Sequence, residues 1–225
     1  MRIERTPLKQ RQLPGYTRRE ELMNMWTHAA GGVVGLAVLV KCVLVSMEHG
    51  SAWSLAGGLV YGLSMIALYT VSATYHGMKP CYAKKVMQVV DHCTIYLLIA
   101  GTYTPILLCA IRQVNPALAW AVLGCEWGTA AIGAVFTAID LKRYGIFSMC
   151  CYLIMGWLIV LAIVPTVRAI TVPGFIWLLA GGIAYTAGAV LYGIGKRKPW
   201  MHTVFHVFVD LGSILQAVCI IAYVL

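Results

Sequence analysis

Seven apolar stretches, each about 20 residues or longer and each with at most one formally charged residue, occupy most of this 225-residue chain. They fall at roughly 26–47, 53–77, 86–111, 117–139, 146–165, 173–195 and 201–225. A helix needs about 20 mainly apolar residues to cross a bilayer, and inside lipid a helix satisfies every backbone N–H and C=O within itself. The pattern predicts an all-α polytopic membrane protein with seven transmembrane helices over 26–225, preceded by a tail at 1–25. Composition argues against a soluble fold. Only 11% of residues are charged and mean hydropathy is +0.80, whereas a soluble domain carries about a quarter charged residues. Pro116, Pro165, Pro173 and Pro199 fall near span edges, and Pro105 inside the third span is expected to kink it.

Orientation follows from the basic residues. With the N-terminus inside, the cytoplasmic side receives Arg2, Arg5, Lys9, Arg11, Arg18 and Arg19 from the tail, which is read as a solvated segment on the membrane surface. Loops add Lys79, Lys84, Lys85, Lys142, Arg143, Lys196, Arg197 and Lys198. Only Lys41, Arg112 and Arg168 remain for the outer side. The N-terminus is therefore expected in the cytoplasm of a bacterial inner membrane. The net charge of +9 suits anionic lipid headgroups as partners rather than nucleic acid, since no separate basic domain exists. The basic segment is long and no small-residue cleavage site follows the first apolar run, so no signal peptide is expected.

The eight cysteines contain no C-x-x-C pair and sit mostly within apolar runs, where free Cys acts as a small hydrophobe. Neither a disulfide framework nor a thiolate metal site is expected. Gly31 with Gly35, Gly58 with Gly62, and Gly124 with Gly128 have helix-packing spacing. The sequence leaves the oligomeric state open.

Ionisable residues inside a span are costly and mark functional sites. Ser72 and His76, one turn apart, close the second span; Asp91 opens the third; His202 and His206, again one turn apart, open the seventh. In the orientation above, all five reach one depth near the cytoplasmic face from three helices. Three imidazoles with an open position are a ligand set of catalytic zinc. His202 and His206 face the same side of a helix, and His76 completes the set. Asp91 is then expected to orient or deprotonate a water, and Ser72 to hydrogen-bond a ligand or substrate. Taken singly, each histidine reads as readily as an interfacial residue, and H-x-x-x-H without the glutamate of H-E-x-x-H is no metalloprotease signature. The shared depth is what singles them out. Other metals that favour imidazole stay open. Asp210, one turn beyond His206, either holds a His206 nitrogen or accepts a bond from a neighbouring helix. Glu126 is too deep for the cluster, His28 at the cytoplasmic boundary could reach the site but is read first as interfacial, and His92 points about 100° from Asp91 on a helix.

The segments Asn24-Met-Trp-Thr-His28, Ser72-Ala-Thr-Tyr-His76, Asp91 with Ile95 to Pro105, and His202-x-x-x-His206 together resemble the hemolysin III family. That family is grouped with the progestin and adipoQ receptors and the alkaline ceramidases. The likeness runs through nearly the whole chain, and the short tail and compact loops are similar to its bacterial branch. It implies a seven-helix bundle with zinc near the cytoplasmic face on His76, His202 and His206, with Ser72 and Asp91 beside it. In relatives such a site is linked to hydrolysis of lipid amides; for the bacterial branch the implied roles are haemolysis and membrane homeostasis.

Three functions are therefore carried forward. One is a zinc-dependent membrane hydrolase (a ceramidase-like amidase) acting on a lipid amide or ester. The second is a non-enzymatic sensor of membrane lipid state with a structural zinc. The third is a haemolytic pore, which the scarcity of charge and the lack of a like-charged ring disfavour. The substrate itself is not legible, because a lipid pocket is mostly apolar.

Overall fold

The computed structural model describes residues 5–195 and 198–225; Arg2, Lys196 and Arg197 of the basic set lie outside them. Among the described residues all regular structure is helical. The long helices are α1 (Arg18–His49), α2 (Ala52–Gly77), α3 (Tyr82–Val114), α4 (Pro116–Ile139), α5 (Gly145–Trp157), α6 (Ile163–Gly195) and α7 (Met201–Tyr223). Local signals explain most starts. Thr17 caps α1 in a capping box with Glu20, Ser51 caps α2, Cys81 caps α3, and Asn115 caps α4 ahead of Pro116 at its first turn. Gly50, at φ 61°, ends α1 in the left-handed conformation that glycine adopts without strain.

Six stretches are long and apolar enough to cross a membrane, and one of them, Gly145–Ile194, is 50 residues long. A straight helix of that length would extend about 75 Å, more than twice a hydrocarbon core of about 30 Å. It is not straight. A 3-10 segment at Leu158–Ala162 joins α5 to α6, and Thr171 leaves helical geometry at φ 63°, ψ 169°. The expected edges at Pro165 and Pro173 bracket this point, but both prolines lie within α6, Pro165 in its first turn and Pro173 beyond the break. In α3, Pro105 withholds an N–H from the helical ladder. The chain answers with a π-helical stretch, Ile106–Ile111, directly after it.

The windows of highest hydropathy show which helix is central. That of α3 is 83% buried, against 28% for α1 and for α4. Tyr61, Met65, Tyr69, Leu107, Ile111 and Ile220 fill the interior beside it, while Val33, Leu36, Val40 and Leu44 of α1 point outward. Such faces suit lipid, which solvates them as water cannot. Two of the three glycine pairs serve contact between α1 and α2: a methyl group at Gly62 would meet Leu39 Cα at 2.7 Å, and one at Gly58 would meet Cys42 Cβ at 2.9 Å. Gly124 and Gly128 face open space.

α1 and α7 run parallel. Their starts are joined by Trp200 N–H donating to Glu20 Oε1 at 2.8 Å, and their ends by His49 Nδ1 at 2.7 Å from the Leu225 carbonyl oxygen. The later part of α6 runs antiparallel to α7, with Gly174 against Tyr223, Gly181 against Gln216, and Gly188 against Phe205 and Phe208.

Candidate metal centre

The site grows from the first turn of α1, which begins at Arg18 rather than near residue 26. Thr17 N–H donates to Glu20 Oε2 at 2.9 Å, and Glu20 N–H to Thr17 Oγ1 at 3.3 Å. This early start places Glu21, Asn24 and His28 on one face, at i, i+3 and i+7. Glu21 bridges two helices: its Oε2 is 2.6 Å from His76 Nδ1 at the end of α2, and its Oε1 accepts from Lys84 Nζ at 2.5 Å at the start of α3. Lys84, only 1% exposed, also donates to the Met78 carbonyl at 3.0 Å. Asn24 reaches α7, accepting from Thr203 Oγ1 at 2.6 Å through its side chain and lying 3.2 Å from His206 Nδ1 through its carbonyl.

His76, His202 and His206 meet in this frame, with one ring nitrogen from each lying within 4.8 Å of the others. His76 is fully buried, and its Nε2 has no hydrogen-bond partner among the described residues. His206 Nε2 lies 3.1 Å from His202 Nε2. The neighbours assign the tautomers. A carboxylate at His76 Nδ1 and a backbone carbonyl at His206 Nδ1 each take an N–H, which leaves the Nε2 lone pairs free. At 3.1 Å the His202 and His206 Nε2 atoms share either a proton carried by His202 or a cation. A cation about 2.0–2.1 Å from each nitrogen, the usual zinc–imidazole distance, suits that spacing. The residues present therefore fit a borderline divalent metal.

Aromatic rings enclose the cluster. Tyr16 stacks on His202 at 4.8 Å and 14°, Tyr192 lies 5.7 Å from His202, and Tyr75 lies 4.6 Å from His76. Burial pushes the Tyr16 phenol well above its ordinary pKa, and Tyr192 with the carboxylates of Glu21, Glu20 and Asp91 adds to the rise. Asp91 lies in the third turn of α3, with its Oδ2 3.5 Å from His92 Nδ1. Ser72 is buried one turn before His76.

Other expectations are corrected. His28, assigned to the interface, is 4% exposed and stacks on His206 at 3.6 Å and 10°. His92 Nδ1 lies 2.9 Å from the Gln88 carbonyl oxygen and 3.5 Å from Asp91 Oδ2. The tail crosses this end of the bundle: Thr6 N–H donates to Asp140 Oδ2 at 2.9 Å, Arg11 Nη2 to the Ile139 carbonyl at 2.8 Å, and Lys85 Nζ to the Lys9 carbonyl at 2.7 Å. Glu126 is 0% exposed, with both carboxyl oxygens unpartnered among the described residues. Sequence reasoning missed Glu21, Asn24, Lys84 and Tyr16 as site residues. The signal that reveals the first two is Thr17-x-x-Glu20, a capping box that starts α1 early.

These features define a multi-pass helical membrane protein with a histidine cluster at one end of the bundle. A model of the haemolysin-III-related family matches residues 16–217. The chain is 39% identical to Hemolysin-3 of Bacillus cereus, over 92% of this chain and 93% of that one. It is 35% identical to a Hemolysin-3 homolog of Bacillus subtilis (strain 168), over 92% and 96%. The monocyte to macrophage differentiation factor of Homo sapiens is 28% identical over 97% and 90%. The chain belongs to the haemolysin III family, in keeping with a place in a bacterial cell membrane.

Proposed function

We propose that this protein is a seven-span zinc-dependent hydrolase that cleaves an amide or ester bond of a membrane lipid at a site near the cytoplasmic face. One observation carries the reading: three imidazoles from two distant stretches of chain present ring nitrogens within 4.8 Å of one another, and the His76 nitrogen that Glu21 leaves free is buried without a partner among the described residues.

Parity supports seven crossings. α1 and α7 both start at the histidine end, so an even number of crossings must separate those starts. α1 to α4 supply four, and Gly145–Ile194 must then supply two, turning near Thr171. Gly174 beside Tyr223 supports a turn at the opposite end. The basic residues gathered at the histidine end support a cytoplasmic N-terminus.

His76, His202 and His206 would hold the metal. When bound, zinc supplies Lewis acidity that acidifies water and polarises a carbonyl. Glu21 Oε2 and the Asn24 carbonyl fix the tautomers of His76 and His206, keeping Nε2 available. Asp91 accepts the proton of the attacking water at a carboxylate oxygen, and Ser72 Oγ hydrogen-bonds the lipid's amide or ester group. Tyr16, Tyr75 and Tyr192 shield the site from bulk water. Water oxygen joins the acyl carbon, the C–N or C–O bond breaks, and the leaving nitrogen or oxygen takes the proton from Asp91.

Purified wild type should contain about one zinc per chain, which His76→Ala and His206→Ala lose. A panel of N-acyl and O-acyl lipids should yield free fatty acid, and Asp91→Asn should stop this with zinc retained. Release that persists in Asp91→Asn overturns the base assignment, and wild type without zinc overturns the site. A second reading, a lipid-state sensor in which zinc only pins helices, is favoured by one feature: Glu21 ties α1, α2 and α3 together through His76 and Lys84. It predicts zinc-dependent stability with no turnover.

A further inference from the structure

The tail that crosses the histidine end is held by a few polar contacts with positions far away in sequence. Thr6 N–H meets Asp140 Oδ2, Arg11 Nη2 meets the Ile139 carbonyl, Lys85 Nζ meets the Lys9 carbonyl, and the Tyr16 ring stacks on His202. Most side chains of residues 5–16 are exposed, and Arg11 is the one that is buried, at 8% exposure. Its guanidinium has turned inward for little return. Nε donates to the Thr6 carbonyl at 3.1 Å and Nη2 to the Ile139 carbonyl at 2.8 Å, while Nη1 is buried without a partner among the described residues. A buried donor left unpaired carries its full desolvation cost. A phosphate would offer this cation charged, paired acceptors that two backbone carbonyls do not supply.

The tail is also loosely seated. A crevice of about 460 Å³, lined by Lys9, Leu13, Pro80, Cys81, Tyr82 and Lys85, lies between it and the start of α3. A methyl group at Gly15 would touch nothing within 4 Å. Thr17 sets the limit of this looseness, because its capping box with Glu20 fixes the first turn of α1. Tyr16 is therefore the last residue that the tail carries with it, and Tyr16 is the ring that covers His202.

We propose that residues 5–16 form a strap over the histidine end, closed by Asp140 and the Ile139 carbonyl and drawn off by anionic phospholipid through Arg11. Closed, the strap keeps Tyr16 on His202 and its guanidinium inside the protein. Open, it gives Arg11 to a lipid phosphate and uncovers the histidines. Arg5 and Lys9 are exposed in the closed form, so Arg11 is the strap cation that gains most by opening. The gate rests on the histidine cluster being the functional site, but its movement requires neither metal nor turnover.

The test follows full-length protein in nanodiscs of phosphatidylcholine alone and of phosphatidylcholine mixed with phosphatidylglycerol. Spin labels at Gln12→Cys and Gly145→Cys, in a background without other cysteines, report the distance from the strap to the start of α5, where Gly145 has open space for a label. Hydroxyl-radical oxidation of His202, scaled to that of the exposed His49 at the opposite end, reports whether Tyr16 covers it. Neutral discs should give one short distance and slow oxidation. Anionic discs should add a longer, broader distance and raise His202 oxidation about fivefold, the gain of one basic residue at an anionic leaflet. Asp140→Asn should open the strap in neutral discs, and Arg11→Gln should abolish the difference between the two kinds of disc. Wild type that behaves alike in both discs, a lipid response that survives Arg11→Gln, or an Asp140→Asn strap that stays shut overturns the proposal. Neither readout uses the metal or the reaction, so failure of the hydrolase reading would leave both intact.

Discussion

Lys84 carries its ammonium group into the protein at 1% exposure, and Glu21, 2.5 Å away, matches the charge. A buried pair gains little over an apolar one, but removing one member strands the other at a cost of about 3–5 kcal/mol. Glu21→Gln should lower stability by that amount in thermal unfolding. Adding Lys84→Met should recover most of the loss, because no charge is then left alone. Losses that simply add would show that the two residues are uncoupled. The same substitution loosens His76, so zinc affinity should fall about 10- to 100-fold even in the double variant. His76, His202 and His206 were legible because polar residues at a shared depth stand out against apolar spans. Glu21 and His28 were not, because a boundary near residue 26 put one in a solvated tail and the other at an interface.

Helices themselves were easy to read from the sequence, their ends less so. Span length is set by lipid, but an end is set by capping and by contacts distant in sequence. The first helix starts early on a local signal, whereas the break at Thr171 follows no glycine and falls between two prolines. The tail illustrates the distant case, since its hold on Asp140 joins positions 134 residues apart. Asp140 accepts N–H bonds from Thr6 at 2.9 Å, Lys142 at 3.1 Å and Arg143 at 3.2 Å. Burial alone would raise its pKa, yet the bonds from Thr6 and Arg143, with the Arg11 charge nearby, hold it at about 2, below the ordinary 3.8. The stabilisation is therefore complete above about pH 4 and is lost as pH falls toward 2, with a full value of about 2 kcal/mol. Wild type should exceed Asp140→Asn by about that amount at pH 6, and the gap should close near pH 2. A gap independent of pH would mean that the tail is held by something else.

The two ends of the molecule differ in chemistry as well as charge. The histidine end holds the tail, Lys84, Lys85 and Lys142, while Arg112 stacks on Trp53 at 4.4 Å at the other. Each basic residue near an anionic leaflet contributes about 1 kcal/mol, and an excess of this size supports the proposed orientation with the histidine end in the cytoplasm. If Gly145–Ile194 crosses twice, Thr171 must face the side opposite Cys81. Cys81, exposed at the start of α3, should react with a membrane-impermeant maleimide only in inverted vesicles. In a background without other cysteines, Thr171→Cys should react only in intact cells whose outer barrier is permeabilised. Labelling of both from one side would leave five crossings before the last helix, putting α1 and α7 antiparallel. That arrangement is incompatible with Glu20 holding the Trp200 amide while His49 meets the Leu225 carbonyl, and without parallel first and last helices Asn24 could not reach the His206 ring that it orients.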